Sequence, residues 1–266
     1  PTISRRQRQM CIRDSFLKGP TRQPFPEARM DLSRHYQHRF DLKYGCNPHQ
    51  QQSAIFSQKD RPLPFEIING RPGYINLLDA LNAWQLVKEL DEALKLPAAA
   101  SLKHVSPAGA AVGIPLDEDL KEIYGTGKDK LTPLACAYLR ARGADPLCSF
   151  GDFIALSREV DRETALLIRK LVSDGIIAPS YTNEAKDILK EKKKGAFIIL
   201  QADGNEPLSE DPEYREVHGT IFRQQRNSIK LSKENLLGNI VTQNQELSED
   251  ACLSLIHISE PTRRTI

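Results

Sequence analysis

Between residues 65 and 200, short apolar runs alternate with longer segments whose apolar residues recur every three or four positions. The short runs have the length of buried strands, and the longer segments have the period of helices with one buried face. Each such element must cover its apolar face with a neighbour. The alternation therefore predicts a layered α/β domain with helices on both faces of a sheet.

Capping and turn residues bound the individual elements. Strands are predicted at 65–69, 98–102, 153–157, 176–178 and 197–200, and helices at 77–94, 134–142, 161–172 and 184–193. Asn76 and Asp161 stand where the N-caps of two of these helices are expected. After about residue 203 the sequence becomes polar and irregular, which is typical of a connector.

The composition excludes several classes of protein. Hydrophobic residues make up 39% and charged residues 27% of the 266 positions, and no apolar run reaches the roughly 18 residues of a membrane-spanning helix. The cysteines are five, an odd number, and include no C-x-x-C pair. This pattern argues against a disulfide framework and a zinc knuckle, and it favours a reducing compartment such as the cytosol.

The net charge of +2 hides an uneven distribution along the chain. Residues 1–40 carry nine Lys or Arg against three Asp or Glu, and residues 253–266 carry two against one. The remaining residues, 41–252, are therefore net acidic, with a charge of −5. A nucleic-acid-binding protein concentrates positive charge in its folded part. We therefore expect neither nucleic acid nor a membrane as a partner.

The two ends of the chain lack the periodicity of its middle. DNA that encodes Met10–Asp14 can be the reverse complement of DNA that encodes Leu253–His257, as expected if a sequencing adapter contributed both. Segments of that origin are excluded from fold reasoning. We predict adapter-derived tails at 1–15 and 253–266, a linker-like stretch at 16–40, a folded lobe at 41–202, and a connector at 203–252 towards a missing second lobe.

Polar residues that could carry chemistry follow the strand predicted at 98–102. Lys103 and His104 are adjacent there and precede a Pro/Gly turn. An imidazole can accept a proton at neutral pH, and an ammonium can stabilise negative charge that develops on a substrate oxygen. The alternative is a surface lysine beside a strand-end histidine that has no catalytic role.

Three further polar clusters lie at element junctions: Lys43–Gln50, Phe150–Asp152 and Ser173–Gly175. Glycine lets a ligand approach the backbone closely, although ordinary loop chemistry explains the same residues. Ligands of open α/β sheets bind beyond the carboxyl ends of the strands, so we expect the functional clusters there. The spacings of a P-loop, an H-E-x-x-H metal site and a zinc deaminase are absent from the sequence, and no metal site is predicted.

Taken together, the clusters resemble one enzyme family. Their order and spacing over about residues 42–250 are similar to those of the transformylase domain of the bifunctional purine-biosynthesis enzymes, which formylates aminoimidazole carboxamide ribonucleotide (AICAR). The motifs are Tyr44–Gln50, Ile75–Trp84, Lys103–Gly109, Arg142–Asp152 and Ser173–Pro179. Within the third motif, the sequence Val-Ser-Pro-Ala-Gly resembles the eukaryotic branch of the family.

The resemblance implies both a fold and a reaction. The fold is a cytidine-deaminase-like three-layer α/β/α lobe, the first of two, in a homodimer with active sites at the interface. The reaction moves a formyl group from 10-formyltetrahydrofolate to the 5-amino group of AICAR in the cytosol, without a metal. The parent protein is expected to carry an IMP cyclohydrolase domain as well. The fragment is expected to be inactive alone, and a nucleotide-binding fragment without turnover is the alternative.

The resemblance also assigns roles to individual residues. His104 is the proton acceptor, and Lys103 stabilises the transition state. Contacts to the substrate carry over to Lys43, Tyr44, Asn76, Phe150, Gly151 and Asp174. Lys43 departs from the Arg that usually precedes Tyr-Gly in the family, and an ammonium cannot make the paired hydrogen bonds of a guanidinium.

Overall fold

The structure, a computed structural model, describes residues 31–59, 61–127, 131–203, 212–226 and 248. The chain divides into two compact units, one of residues 33–206 and one that joins residues 1–32 to residues 207–266. The larger unit contains the predicted 41–202 lobe. The predicted tails at 1–15 and 253–266 lie outside the described residues.

Strands and helices alternate through the larger unit. Its described strands are β1 (Tyr36–Asp41), β2 (Ala54–Gln58), β3 (Phe65–Asn69), β4 (Ala98–Lys103), β5 (Ser106–Val112), β6 (Asp152–Leu156), β7 (Ser173–Ala178) and β8 (Ile198–Ala202). Its described helices are α1 (Tyr74–Leu94), α2 (Glu118–Ile123), α3 (Pro133–Gly143), α4 (Arg162–Lys170) and α5 (Asn183–Glu191), the last followed by a 3-10 turn at Lys192–Gly195.

Six of these strands form one mixed sheet in the order β3-β8-β7-β6-β4-β5. Strands β6, β7 and β8 run parallel to one another. Strand β3 is antiparallel to β8, and β4 is antiparallel to both β6 and β5. Strands β1 and β2 pair with each other in a separate antiparallel ribbon.

Successive residues of the central strands pack against helices on opposite faces of the sheet. In β6, Phe153 and Ala155 join the apolar cluster that contains the buried face of α1, whereas Ile154 and Leu156 join the cluster formed with α3, α4 and α5. All four side chains are at most 1% exposed. Successive side chains of a strand point to opposite faces of the sheet, so a strand whose residues are all apolar must be covered on both faces. The predicted α/β lobe with helices on both faces is confirmed.

The start of α1 differs from the prediction. The helix begins at Tyr74 with Gly73 as its N-cap, three residues before the predicted position of Asn76. Asn76 lies inside the first turn, where its side-chain Oδ1 accepts a hydrogen bond from the Gly73 backbone N at 3.0 Å. The amide thus closes the cap from within the helix, as the third helical residue of a capping box does. The predicted cap at Asp161 is confirmed, because its Oδ1 accepts from the Thr164 N at 2.7 Å.

Three strands of the larger unit, β1, β2 and β5, lie where the sequence predicts none. β5 follows β4 after a short turn. It contains Pro107 and Gly109, which predict a turn when the sequence is considered alone. Pro is tolerated there because β5 is the edge strand of the sheet. β1 begins at Tyr36, so the last five residues of the predicted linker-like stretch at 16–40 belong to a strand that pairs with β2.

The strand directions place three of the four polar clusters, those of Lys103, Gly151 and Asp174, at one end of the strands of the sheet; this end is called the edge below and differs from the edge strand β5. The amino ends of β6 and β7 carry Gly151 and Asp174, and the antiparallel β4 brings its carboxyl end, Lys103, to the same edge. The carboxyl-end expectation therefore holds for Lys103 and is wrong for Gly151 and Asp174. The parallel strands present their amino ends to this edge.

The smaller unit contains a β-hairpin in its described residues. β9 (Glu213–Val217) and β10 (Thr220–Gln224) pair antiparallel. His218 and Gly219 join them with φ of 50° and 71°, which is the backbone conformation of a two-residue hairpin turn. Part of the predicted 203–252 connector is thus a regular hairpin. Across the part of the chain that the structure describes, no helix is long and apolar enough to cross a membrane.

The packing of β5 on α3 makes Gly109 a sensitive position. A Cβ atom there would overlap the Ala141 backbone O and lie 2.8 Å from the Ala144 Cβ. We expect Gly109→Ala to lower the free energy of unfolding by about 1–3 kcal/mol, because the helix backbone cannot move aside without losing its own contacts. Urea unfolding measures the change. The control is Ala110→Val on the exposed side of the same strand, and an equal loss in both variants would contradict the packing argument.

Candidate functional site

The turn between β4 and β5 holds the candidate base in an unusual backbone conformation. His104 and Val105 have φ of 53° and 64°, a region that β-branched residues rarely occupy. The carboxylate of Asp79, on α1, accepts hydrogen bonds from the His104 N at 3.2 Å and the Val105 N at 2.5 Å. These two bonds tie the strained turn to the helix and leave the His104 side chain exposed at the sheet edge.

Asp79 is a structural residue of the site that sequence reasoning did not single out. It is 4% exposed and lies on the buried face of α1 with Leu77, Ala80 and Ala83. Burial raises the pKa of its carboxyl, against the opposing effect of the backbone hydrogen bonds from Val105 and His104. A carboxylate on an otherwise apolar helix face was the available signal in the sequence. Its partner could not be inferred, because it lies 25 residues further along the chain.

Lys103 contacts the loop that precedes β6. Its Nζ donates to the Phe150 backbone O at 2.6 Å. A Cβ atom added at Gly151 would lie 4.0 Å from the same Nζ, and Gly151 has a φ of +75°. The structure thus brings three of the predicted site residues together, with the ammonium above a backbone that only glycine adopts without strain. The Phe150 side chain is 61% exposed beside them.

Asp174 lies at the same edge, at the start of β7. Its Oδ1 is 2.6 Å from the Nζ of Lys193, and both side chains are a little under half exposed. The negative charge of Asp174 also contributes to the raised pKa of Asp79, which places the two carboxylates in one electrostatic environment. Lys193, in the 3-10 turn, was not predicted as a site residue.

Three predicted residues, Lys43, Tyr44 and Asn76, have no hydrogen bond or ion pair with this group in the described part of the chain. Lys43 and Tyr44 lie in the loop between β1 and β2, whose hydrogen bonds are internal: Gly45 N donates to Gln50 O at 2.8 Å, and Asn47 N donates to Gln50 Oε1 at 2.8 Å. The side-chain oxygen of Asn76 is used in capping α1. Their contacts to a substrate stay predictions.

A buried polar cluster lies beneath the edge. Ser101, two residues before Lys103 on β4, donates to Asp152 Oδ2 at 2.5 Å, and the NH1 of Arg142 lies 3.1 Å from the same oxygen. Asp152 is fully buried and Arg142 is 7% exposed. Burial raises the pKa of Asp152 to about 6 and outweighs the Ser101 hydrogen bond and the Arg142 charge, both of which lower it.

The described cysteines are unpaired, and the described residues form no metal-binding group. Within the described ranges, no group of three or more His, Cys, Asp or Glu side chains is placed to hold a metal ion. Cys46, Cys136 and Cys148 are free thiols, and Cys136 is buried. Cys11 and Cys252 lie outside the described residues.

The Asp79 contacts predict the effect of removing its carboxylate. Asp79→Ala leaves two backbone N–H groups of a strained turn without an acceptor, and we expect a loss of about 2 kcal/mol in the free energy of unfolding. Asp79→Asn keeps one acceptor oxygen and should lose less. Urea unfolding and amide hydrogen exchange at His104 and Val105 measure both effects. Unchanged exchange at these two amides in Asp79→Ala would contradict the assigned contacts.

The raised pKa of Asp152 predicts a pH-dependent stability. Its usual value is 3.8, so the folded protein holds this proton more tightly than the unfolded chain. The resulting stabilisation is complete below about pH 4 and is lost as the pH rises through about 6. The difference in unfolding free energy between the wild type and Asp152→Asn should fall by roughly 3 kcal/mol between pH 4 and 7.

Urea unfolding at a series of pH values tests this expectation. Asp145→Asn is the control, because a hydrogen bond from the Cys148 side chain lowers the pKa of that exposed carboxyl. Its contribution should therefore have the opposite sign. Parallel pH profiles for the wild type and Asp152→Asn would show that Asp152 titrates alike in the folded and unfolded chains.

Comparison with known proteins places the sequence of the chain in a family. Residues 7–258 match the AICARFT/IMPCHase bienzyme family, and the match overlaps the inner part of both predicted tails. The bifunctional purine biosynthesis protein PurH of Elusimicrobium minutum is 34% identical over 216 residues, and that of Shouchella clausii is 32% identical over 219 residues. The PurH of Petrotoga mobilis is 35% identical over 191 residues.

The chain spans about a third of the length of these curated relatives. The first two alignments cover 81% of this chain but only 36% and 37% of the relatives, and the third covers 70% and 32%. These relatives are bacterial, and the eukaryotic character of the Val105–Gly109 motif stays a prediction. The family inferred from the five sequence motifs is confirmed: the chain belongs to the AICARFT/IMPCHase bienzyme family.

Proposed function

We propose that the chain is the first lobe of an AICAR formyltransferase that acts in purine biosynthesis. The enzyme moves the formyl group of 10-formyltetrahydrofolate to the 5-amino group of AICAR. The family match and the names of the relatives support a role in purine biosynthesis. The formyl-transfer step is supported by the residues at the sheet edge.

The observation that carries the proposal is the placement of Lys103 beside Gly151, with His104 as the next residue of the chain. The ammonium of Lys103 lies 2.6 Å from the Phe150 O, next to a glycine whose missing side chain leaves room for a ligand. The His104 imidazole is exposed at the same edge on a turn that Asp79 fixes. A base and a cation are thus held by rigid elements beside an open backbone, which is the arrangement that proton abstraction from a bound substrate needs.

The chemistry follows from these two groups. The 5-amino nitrogen of AICAR attacks the formyl carbon, and His104 accepts the proton that the nitrogen loses. Lys103 stabilises the negative charge that develops on the formyl oxygen. The bond between the formyl carbon and N10 of the folate then breaks, and N10 takes a proton. The products are formyl-AICAR and tetrahydrofolate.

The remaining predicted residues hold the nucleotide in this proposal. The carboxylate of Asp174 can accept a hydrogen bond from a ribose hydroxyl, in competition with Lys193. The Gly151 backbone allows close approach, and the exposed Phe150 ring offers an apolar face. Lys43, Tyr44 and Asn76 complete the nucleotide contacts.

The proposal for the whole protein is wider than this chain. We propose that the folate and part of the nucleotide bind to a second lobe, that two copies form a homodimer, and that an IMP cyclohydrolase domain belongs to the same protein. No metal is assigned to the reaction. The free thiols of the described cysteines suit a reducing compartment such as the cytosol.

The test is formyl transfer by the full-length protein from the same source, with His104→Ala as the variant. We expect the rate to fall by about 10²–10⁴-fold, because a positioned general base is lost. The control is His35→Ala. His35 is exposed and immediately precedes β1, so this variant should keep full activity. Depletion of 10-formyltetrahydrofolate is followed together with the sum of formyl-AICAR and IMP, because a cyclohydrolase domain of the same protein would convert the first into the second.

Two outcomes would contradict the proposal. Equal activity of the wild type and His104→Ala would remove His104 from the chemistry. A folded full-length protein that binds AICAR but shows no formyl transfer would favour the alternative, a nucleotide-binding protein without turnover.

A further inference from the structure

A single buried guanidinium contacts both loops that carry the proposed nucleotide contacts. Arg142, near the end of α3, donates through NH1 to the Ser149 backbone O and through NH2 to the Val172 backbone O at 3.0 Å. Ser149 immediately precedes Phe150 and Gly151, and Val172 immediately precedes Ser173 and Asp174. The side chain is 9% exposed, so these contacts form away from solvent.

The two loops also bond to each other at the same point. The Gly151 N donates to the Val172 O at 3.1 Å, so one carbonyl accepts from both Gly151 and Arg142. Asp152 lies 3.1 Å from the NH1 of Arg142 and holds the guanidinium in this orientation. Ser101 binds the same carboxylate oxygen and links the group to β4. The cluster therefore joins the ends of three strands that meet at the site.

The geometry requires a planar fork of donors. Two carbonyls and one carboxylate surround Arg142, and a guanidinium offers several N–H groups in fixed directions. A lysine ammonium has three donors on one atom and cannot span the same acceptors from the same position. A buried ion pair gives little net stability after desolvation, and its best-attested use is to specify one arrangement.

We infer that Arg142 is a positioning residue that fixes the loop of Gly151 against the loop of Asp174. It acts on the nucleotide through these loops and does not touch it. The inference rests on the proposed function for its kinetic consequence, whereas the loop geometry can be measured without any substrate.

The experiment compares Arg142→Lys with Arg140→Lys in the full-length protein. Arg140 lies on the same helix and also binds two backbone carbonyls, those of Ile114 and Pro115 at 3.1 and 2.8 Å, but on a different loop. We expect Arg142→Lys to raise the KM for AICAR by about 10-fold to 100-fold, since small displacements of binding groups have effects of this size. Arg140→Lys should leave that KM unchanged.

A second measurement is independent of activity. Amide hydrogen exchange at Gly151 reports the bond to Val172 directly, and we expect it to accelerate in Arg142→Lys and not in Arg140→Lys. The amide of Ile177, in the middle of β7, should stay protected in both variants. If the wild type shows no formyl transfer, the proposed function fails, and the exchange data alone decide the role of Arg142.

The inference is overturned if Arg142→Lys matches Arg140→Lys in both the KM and the exchange at Gly151. Arg142→Gln, which keeps one amide donor, is the second variant should Arg142→Lys not fold, and urea midpoints establish folding. If neither variant folds, Arg142 determines folding and the positioning role is rejected.

Discussion

The site depends on the antiparallel register of β4 against β6. Leu102 pairs with Phe153, so the residues after Leu102 and those before Phe153 leave the sheet together at one edge. That register places the Lys103 ammonium 2.6 Å from the Phe150 O, although 47 residues separate the two in sequence. A shift of one residue would turn Lys103 to the other face of the sheet and bury it in an apolar cluster. The apolar packing of both faces therefore fixes the geometry of the polar edge.

Several elements could be predicted from the sequence because their signals are local. β3 has the predicted limits of 65–69, and Asp161 caps its helix as expected from its residue type. β5 could not be predicted, because Pro107 and Gly109 favour turns and only the edge position of the strand makes them acceptable. Gly151 and Asp174 lie at the amino ends of their strands, and the sequence does not show that an antiparallel β4 brings Lys103 to the same edge, because strand order and direction depend on connections that the local pattern does not encode.

The residues of the candidate site also fall into two groups, those that could be found from the sequence and those that could not. Lys103, His104, Gly151 and Asp174 could be found because chemistry-bearing residue types cluster at strand ends. Asp79 and Arg142 could not be assigned roles, since each acts on backbone groups of a loop that is distant in sequence or in another element. The resemblance to a family assigned roles to the former set, whereas Asp79 and Arg142 lie within its motifs without an assigned role. Supporting residues of this kind are identified from contacts, and the contacts exist only once the sheet has formed.

The direction of the parallel strands also explains why cations are buried at this edge. Helices α3, α4 and α5 each lead into the amino end of a parallel strand, so their carboxyl ends, with unpaired carbonyls, converge there. Arg142 and Lys192 supply donors to this region, at the Val172 and Leu171 carbonyls respectively. Burial lowers the pKa of Lys192, which shows the energetic cost of placing an ammonium there. Lys103 and Lys193 are two further cations near this edge, and each already holds one oxygen, the Phe150 carbonyl and the Asp174 carboxylate respectively. A group that accepts a hydrogen bond from either ammonium would therefore have to replace the oxygen that the ammonium already holds.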